Sequence, residues 1–290
     1  MIQRPESIFR EPDRVRDLPD FMAPPLVEVI LSIQFAALGN LKSAHIGLLW
    51  ERLRSDYPDV TEQAPLQAVF ETFGIPNPTP MMQIQALFTP QLPRYWFERS
   101  DSPNLLQFQQ DRIIHNWRQQ PENSHIYPRY ESVKAAFEDE IQLIERWLSD
   151  ESIGELRPNQ CEVTYTNIIS LPEEEAVHGS IDRITPLWTG KFSEEPPNKL
   201  ERTRIEMTFL FSHDEKPTGR VYVNFQPAFR PNDGGRVVKL DITARGRPQG
   251  ESVADALAFL DLEREQVVRT FGAVTTTEMH KLWGRTDGPR

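Results

Sequence analysis

The stretch "LLQFQQDRIIHNWRQ", residues 105–119, contains two short strand-like segments separated by Gln110 and Asp111. A two-residue polar break between such segments is typical of a tight turn that joins antiparallel strands. Strand parity then places Ile113, His115 and Trp117 on one side and Arg112, Ile114, Asn116 and Arg118 on the other. The stretch predicts a hairpin, and its polar side is either a binding site or a solvated sheet face.

Further strand and helix patterns surround this hairpin. The segment "LVEVILSIQF" (26–35) alternates apolar and polar residues, and "SAHIGLLWERLRSDYP" follows as a helix with Ser43 at its N-cap. A proline-rich connection over about 58–80 leads to strands expected at about 82–88, 94–99, 105–109 and 112–118. The segment "YESVKAAFEDEIQLIERWLSD" closes this half as an amphipathic helix with an apolar stripe at Val133, Phe137, Ile141, Ile144 and Leu148.

The second half repeats this order of elements. The strand "CEVTYTNII" (161–169) is followed by "RIEMTFLF", "RVYVNFQ" and "RVVKLDITAR", and then by the helix "ESVADALAFLDLEREQVVRTF". A short helix is expected around 180–188. The segment "TTTEMHKLWG" predicts a terminal helix with a capping box of Thr275 and Glu278 and a stop at Gly284. The triplet Glu-Ser-Val begins the long helix of both halves, at 131–133 and 251–253, which favours an internal duplication.

These patterns predict an α+β fold with antiparallel sheets and long helices packed on one face. A two-fold internal repeat would make the sheet resemble TATA-binding-protein-like or helix-grip-like folds, which is an analogy of fold alone. We expect an extended arm over 1–25, a first half over 26–150, and a second half over 151–290 packed with the first as one globular unit.

The composition limits the compartment and the partners. A formal net charge of -11 over 290 residues argues against general binding to nucleic-acid phosphates or anionic membranes, although a local basic patch stays open. Cys161 is the single cysteine, which excludes an intramolecular disulfide and fits a reducing cytoplasm. Cys161 begins an apolar strand, so we expect its side chain to be buried in the core as a small apolar group. The N-terminus lacks a signal-peptide pattern, and the longest apolar run is too short for a membrane span, so a cytoplasmic protein is expected.

Sequence motifs for catalysis and cofactor binding are missing. The chain contains no GxGxxG after a strand, no GxxxxGK[ST], no HExxH and no GxSxG. Its six histidines form no i, i+4 pair, so a helical metal site is not expected. We therefore expect no cofactor and no metal, and we favour a non-enzymatic role without assigning catalytic residues. An enzyme with an unrecognised site stays an alternative.

Candidate binding residues lie on the polar sides of the predicted strands. They are Arg112, Asn116, Arg118, Arg220, Tyr222, Asn224, Lys239 and Arg245. Guanidinium and amide groups offer donors to carboxylates, phosphates or backbone carbonyls, although a merely solvated sheet face has the same pattern. His115 lies between apolar neighbours and is expected to be packed and hydrogen-bonded. The aromatic residues Tyr95 to Phe97, with Trp117, are expected in the core, and a base-stacking platform with the nearby arginines stays the alternative.

Five segments together resemble a sporadically distributed family of uncharacterised bacterial proteins. They are "AHIGLLWERLRSDYP", "DRIIHNWR", "YPRYESV", "PNQCEVTYTNII" and "TTTEMHKLWGR", and the resemblance runs from about residue 24 to 285. It brings no activity, cofactor or catalytic residue to carry over. A patchy distribution implies genes that move horizontally, as defence components and toxin–antitoxin modules do.

The leading hypothesis is a non-catalytic cytoplasmic binding protein that engages a protein partner through an open sheet face. The partner would be encoded nearby, as the other component of a mobile two-gene module. A nucleotide or small-molecule sensor with its ligand between the two halves is the alternative, together with an enzyme acting on nucleic acid. We also expect a homodimer, because the edges of a long exposed sheet need covering and the arm is suited to lie across a neighbour.

Overall fold

The computed structural model describes residues 18–74, 92–120, 127–171, 177–194, 196–213 and 215–286. The strands are β1 (Leu26–Phe35), β2 (Asp59–Gln63), β3 (Arg94–Glu98), β4 (Asn104–Gln109), β5 (Arg112–Arg118), β6 (Pro158–Ile169), β7 (Ile205–His213), β8 (Lys216–Phe229) and β9 (Arg236–Gly246). The helices are α1 (Ser43–Leu53), α2 (Tyr130–Asp150), α3 (Val253–Val274) and α4 (Thr277–Leu282), with a 3-10 turn at Ile181–Arg183.

The strands form one antiparallel sheet of nine strands in the order β2-β3-β4-β5-β1-β6-β9-β8-β7. The first strands of the two halves, β1 and β6, pair with each other at the centre, and each later meander returns to its own first strand. The predicted α+β class is therefore confirmed. The strand order is similar on the two sides of the β1–β6 pair, while a duplication of the sequence stays a prediction.

One face of the sheet carries the helices. Helix α2 lies on β1 and β5, helix α3 lies on β6, β9 and β8, and α1 packs against α2. Every predicted residue of the apolar stripe on α2 is buried, as are Ile113, His115 and Trp117 of β5. Hydrophobic burial on this face stabilises the fold and fixes the register, because a slip of one residue would turn these side chains to the other face.

Several local predictions differ from the structure. The connection over 58–80 contains β2, whose residues "DVTEQ" are mostly exposed and show no buried face. The strand expected at 82–88 lies outside the described residues. Ser43 is the first helical residue and Lys42 is the N-cap, while the terminal helix is capped by Thr276 rather than Thr275. The helix expected around 180–188 is a 3-10 turn of three residues.

The described part of the predicted N-terminal arm packs on its own chain. Phe21 is buried, pairs with Arg285 in a β-bridge, and contacts the ring of Phe271 edge-on at 5.2 Å. Asp20 forms an ion pair with Arg129 at 2.8 Å. Residues 18–25 are thus part of the globular unit, and residues 1–17 of the arm lie outside the described residues.

Candidate functional site

The face of the sheet opposite the helices is polar, and we call it the open face. Strand register brings its side chains into rows that run across the sheet. One row contains Gln109, Arg112, Gln34 and Gln160, and the neighbouring row contains Glu162, Arg245 and Arg220. Alternation of polar and apolar residues along each strand creates this face, as the sequence predicted.

An extended segment of the chain, residues 64–73, crosses the open face, and we call it the crossing segment. The amide of Leu66 donates to Gln109 Oε1 at 2.8 Å, and Gln109 Nε2 donates back to the Leu66 carbonyl at 2.8 Å. The amide of Val69 donates to Gln34 Oε1 at 3.0 Å. These glutamine side chains hydrogen-bond the backbone of the segment much as a neighbouring strand would.

The crossing segment ends in a carboxylate-binding pocket. The Glu71 amide donates to Gln160 Oε1 at 3.3 Å, and the Glu71 side chain is only 3% exposed. Its carboxylate accepts hydrogen bonds from Arg220 and, at 2.7 Å, from the Tyr222 hydroxyl, while Arg245 Nη1 lies 3.8 Å away. We call Arg220, Tyr222 and Arg245 the anion cradle. Charge-assisted hydrogen bonds of this kind are among the strongest in proteins.

Two further contacts fix the same end of the segment. Arg220 Nη2 donates to the Thr72 carbonyl at 2.9 Å, and the Arg220 guanidinium lies 4.8 Å from the centre of the Phe73 ring. A cation over an aromatic face is attracted to it electrostatically.

Burial, and then the hydrogen bond to Glu71, raise the pKa of Tyr222 to about 12, so its hydroxyl stays a donor at neutral pH.

The eight predicted binding residues all lie on the open face, and four of them contact the crossing segment. These are Arg112, whose Nη2 donates to the Gln67 carbonyl at 3.2 Å, and the three residues of the anion cradle. The sequence prediction did not include Gln34, Gln109, Gln160 or Glu71. The glutamines gave only a weak signal as polar residues on strands, and Glu71 lay in a segment interpreted as a linker.

No described hydrogen bond or ion pair joins the other four predicted residues to the crossing segment. Asn116 is 4% exposed, donates to Glu28 at 2.8 Å and accepts from Gln107 at 2.6 Å, so it belongs to an internal network. Two others make surface ion pairs, Arg118 with Glu98 at 3.4 Å and Lys239 with Asp241 at 2.8 Å. Asn224 is half-buried on β8.

His115 lies on the helix side of the sheet in a buried polar cluster. Its Nδ1 is 2.9 Å from both carboxylate oxygens of Glu140, which also accepts from the Tyr57 hydroxyl. Burial and the neighbouring Glu140 carboxylate raise the pKa of Tyr57 well above its usual range. The prediction of a packed, hydrogen-bonded histidine is confirmed.

A cavity of about 70 Å³ lies on the helix side, between α2, α3 and residues 19–26. Tyr127 and Tyr165 line it with their hydroxyls 3.1 Å apart, and Arg264 and Asn167 contribute polar groups to a mostly apolar wall. The cavity lies where the two halves meet, as expected for the alternative of a small-molecule sensor. Its volume suits a few waters or a very small ligand.

A second buried carboxyl, Glu263 on α3, faces the sheet. Neither of its oxygens has a hydrogen-bond partner of ordinary geometry. Burial, and then Glu162, raise the pKa of Glu263 well above its ordinary 4.5, and they outweigh the opposing effects of Arg245 and the Gly246 amide. Burial also raises the pKa of the nearby Cys161 thiol, which is 1% exposed as a small core residue, as predicted.

This carboxyl gives a pH-dependent prediction for stability. Above pH 4.5 the unfolded chain releases the Glu263 proton while the folded chain retains it, so the free energy of unfolding falls as the pH rises. Glu263→Met should raise that free energy at pH 8 by about 1–3 kcal/mol, the scale for an unsatisfied buried polar group, and by less at pH 5. Urea denaturation at both pH values measures this, with Glu265→Met on the surface of α3 as control. An equal effect at both pH values would contradict the prediction.

The described residues show neither a metal site nor a membrane-spanning helix. Within them no group of three or more histidine, cysteine, aspartate or glutamate side chains could hold a metal ion. None of their helices combines the length and apolarity that a bilayer crossing requires.

In comparisons with known proteins, no protein-family model and no curated protein matches the chain.

Proposed function

We propose that this protein is a non-catalytic binding protein that engages a protein partner through the open face of its sheet. One observation carries the proposal: the face already holds an extended polypeptide, the crossing segment, through hydrogen bonds to its backbone. Side chains that hydrogen-bond to main-chain atoms are suited to bind polypeptides, because main-chain hydrogen bonds supply affinity and a few side-chain pockets supply specificity.

The chemistry of the face also favours a protein over a small ligand. The cavity between the two halves, of about 70 Å³, is far below the roughly 300–1,000 Å³ of sites for drug-sized ligands, so it gives little support to nucleotide binding at that place. The open face instead spreads guanidinium, amide, carboxylate and hydroxyl groups over several strands. Such a surface can form the distributed polar contacts of a protein interface.

Several finer parts of the proposal rest on sequence reasoning. They are a cytoplasmic location, a partner encoded nearby in a mobile two-gene module of the defence or toxin–antitoxin type, and an origin by internal duplication. A homodimer belongs with them, and exposed Phe209 and Leu210 on the edge strand β7 are compatible with a contact between copies. Light scattering that gives the mass of a monomer at micromolar concentration would contradict the dimer.

The test uses two partly exposed residues of the open face, Arg118 and Lys239, whose ion pairs are made with Glu98 and Asp241 rather than with the crossing segment. Proteins encoded beside this gene are coexpressed with the chain, and any that copurifies is purified and titrated against variants. Arg118→Ala combined with Lys239→Ala should weaken binding by about 2 kcal/mol or more, the scale of an interface hot spot. Folding stability should change by less than about 1 kcal/mol, because both residues form surface ion pairs.

Arg269→Ala is the matched control for this test. Arg269 also forms a surface ion pair, with Glu265 at 2.7 Å, but it lies on α3, on the opposite side of the sheet. The control should bind the partner like the wild type. A partner that binds the double variant as tightly as the wild type, or that is lost equally in the control, would contradict an interface on the open face.

A further inference from the structure

The crossing segment is held by its backbone and one end rather than by burial of its apolar side chains. Val69 and Phe70 are 39% and 54% exposed, although they lie above the middle of the sheet. The glutamine contacts are made to main-chain atoms, which every peptide carries. Side-chain specificity is therefore concentrated at Glu71, in the anion cradle, and at Phe73, beside Arg220.

The anion cradle needs a carboxylate for electrostatic reasons. Arg220 and Arg245 carry two positive charges, and Glu162 neutralises one of them by accepting from Arg245 Nε at 2.6 Å. One positive charge therefore remains without Glu71. Among the described residues, Glu71 is the only carboxylate that forms an ion pair with Arg220. Removal of the crossing segment would leave the half-buried guanidinium of Arg220 without an anion and close to that of Arg245. This is costly unless a new anion enters.

We propose that the crossing segment occupies, in cis, the site at which a partner's extended acidic peptide binds. That peptide would place a glutamate in the anion cradle and an aromatic residue, two positions later, against Arg220. The site is then blocked while the crossing segment occupies it, and a partner peptide must displace the crossing segment to bind. This inference rests on the proposed function, since it assigns the partner's chemistry and the regulation of the same face.

The first experiment uses the sequence of the segment itself as the probe. A fluorescently labelled peptide, APLQAVFETFG (residues 64–74), is titrated against the wild type and against Glu71→Gln. The variant should release its own segment and bind the labelled peptide at least ten-fold more tightly than the wild type. A peptide with glutamine in place of the glutamate should lose that binding, as should the double variant Glu71→Gln with Arg220→Met.

Glu51→Gln is the control variant for this experiment. Glu51 lies on α1 and forms a surface ion pair with Arg54, so its substitution removes the same charge at a site away from the open face. It should bind the labelled peptide as weakly as the wild type. The inference would be overturned if the peptide bound the wild type and Glu71→Gln equally. It would also be overturned if adding Arg220→Met to Glu71→Gln left peptide binding unchanged.

Hydrogen exchange in the wild type tests the same displacement without relying on a variant that folds. The amides of Leu66, Val69 and Glu71 donate to glutamines and should exchange slowly. Saturating peptide should accelerate their exchange at least ten-fold and leave the amides of β1 and β6 unchanged. Protection that persists at saturating peptide would overturn the inference.

The two proposals fail in different ways. If the peptide never competes with the crossing segment but the Arg118 and Lys239 double variant still loses its partner, the interface on the open face stands and the cis-occupied site is wrong. If the peptide binds through the anion cradle but no partner depends on Arg118 and Lys239, the site stands and the proposed function fails.

Discussion

Replacing His115 by alanine should lower the free energy of unfolding by about 3–5 kcal/mol, because it removes a hydrogen-bond partner of the buried Glu140 carboxyl group and leaves a cavity. His115 Nδ1 lies 2.9 Å from both carboxyl oxygens of Glu140, so the two side chains share a buried hydrogen bond. His115 is fully buried and Glu140 is 7% exposed. The substitution would leave the Glu140 carboxylate inside the protein with Tyr57 as its remaining donor and would open a cavity beside it.

The comparison that isolates this effect removes the whole cluster. A triple variant with His115→Leu, Glu140→Leu and Tyr57→Phe contains no unpaired polar group at the site, and it should be far less destabilised than His115→Ala. Urea denaturation of the two variants, with equal m values, would measure the difference. If the triple variant is as unstable as His115→Ala, packing rather than the stranded carboxylate determines the cost.

The central strands and the long helices could be predicted from the sequence because their periodicity reflects burial. The alternation in Leu26–Phe35 and in Arg112–Arg118 records one apolar face, and the structure buries that face against the helices. The stripe on α2 was equally clear, because side chains three and four positions apart share one side of a helix. Neither pattern depends on knowledge of the distant strands.

The edges and caps could not be predicted so well, because local signals there were weak or degenerate. Strand β2 has no buried face, and its pairing with β3 defines it as a strand. At the terminal helix, consecutive threonines at 275–277 offer competing caps, and tertiary contacts select Thr276, whose hydroxyl also donates to the Arg183 carbonyl at 2.6 Å. Such contacts join residues far apart in the sequence.

The candidate site was predictable only as a face. Alternation placed Arg112, Arg220, Tyr222 and Arg245 on the polar side of their strands, and the structure brings them together. Their contacts with the crossing segment arise from hydrogen bonds between side chains and a distant backbone, which leave no periodic trace in the sequence. Alternation also placed Asn116 on the polar side of its strand, but its side chain hydrogen-bonds to Glu28 and Gln107 within the protein and does not contribute to the site.

The terminal helix presents two adjacent large apolar residues in opposite environments. Trp283 is 5% exposed and stacks on Phe271 with ring centres 5.2 Å apart, whereas Leu282 is 59% exposed. Met279 and Trp283 are buried where the terminal helix docks, whereas Leu282 points away from the docked face of α4. Removal of residues 275–290 should still cost several kcal/mol, on the scale of two large buried side chains.

Trp283→Ala should therefore lower the free energy of unfolding by about 3–5 kcal/mol, the usual range for a buried aromatic residue, while Leu282→Ala should stay within about 0.5 kcal/mol of the wild type. The effect of Trp283 is large because its loss also uncovers Phe21 and Phe271, which join residues 18–25 and α3 to the terminal helix. Urea denaturation of both variants measures the contrast. If Trp283→Ala unfolds at the same urea concentration as Leu282→Ala, the contacts of Trp283 contribute no measurable stability and the prediction is wrong.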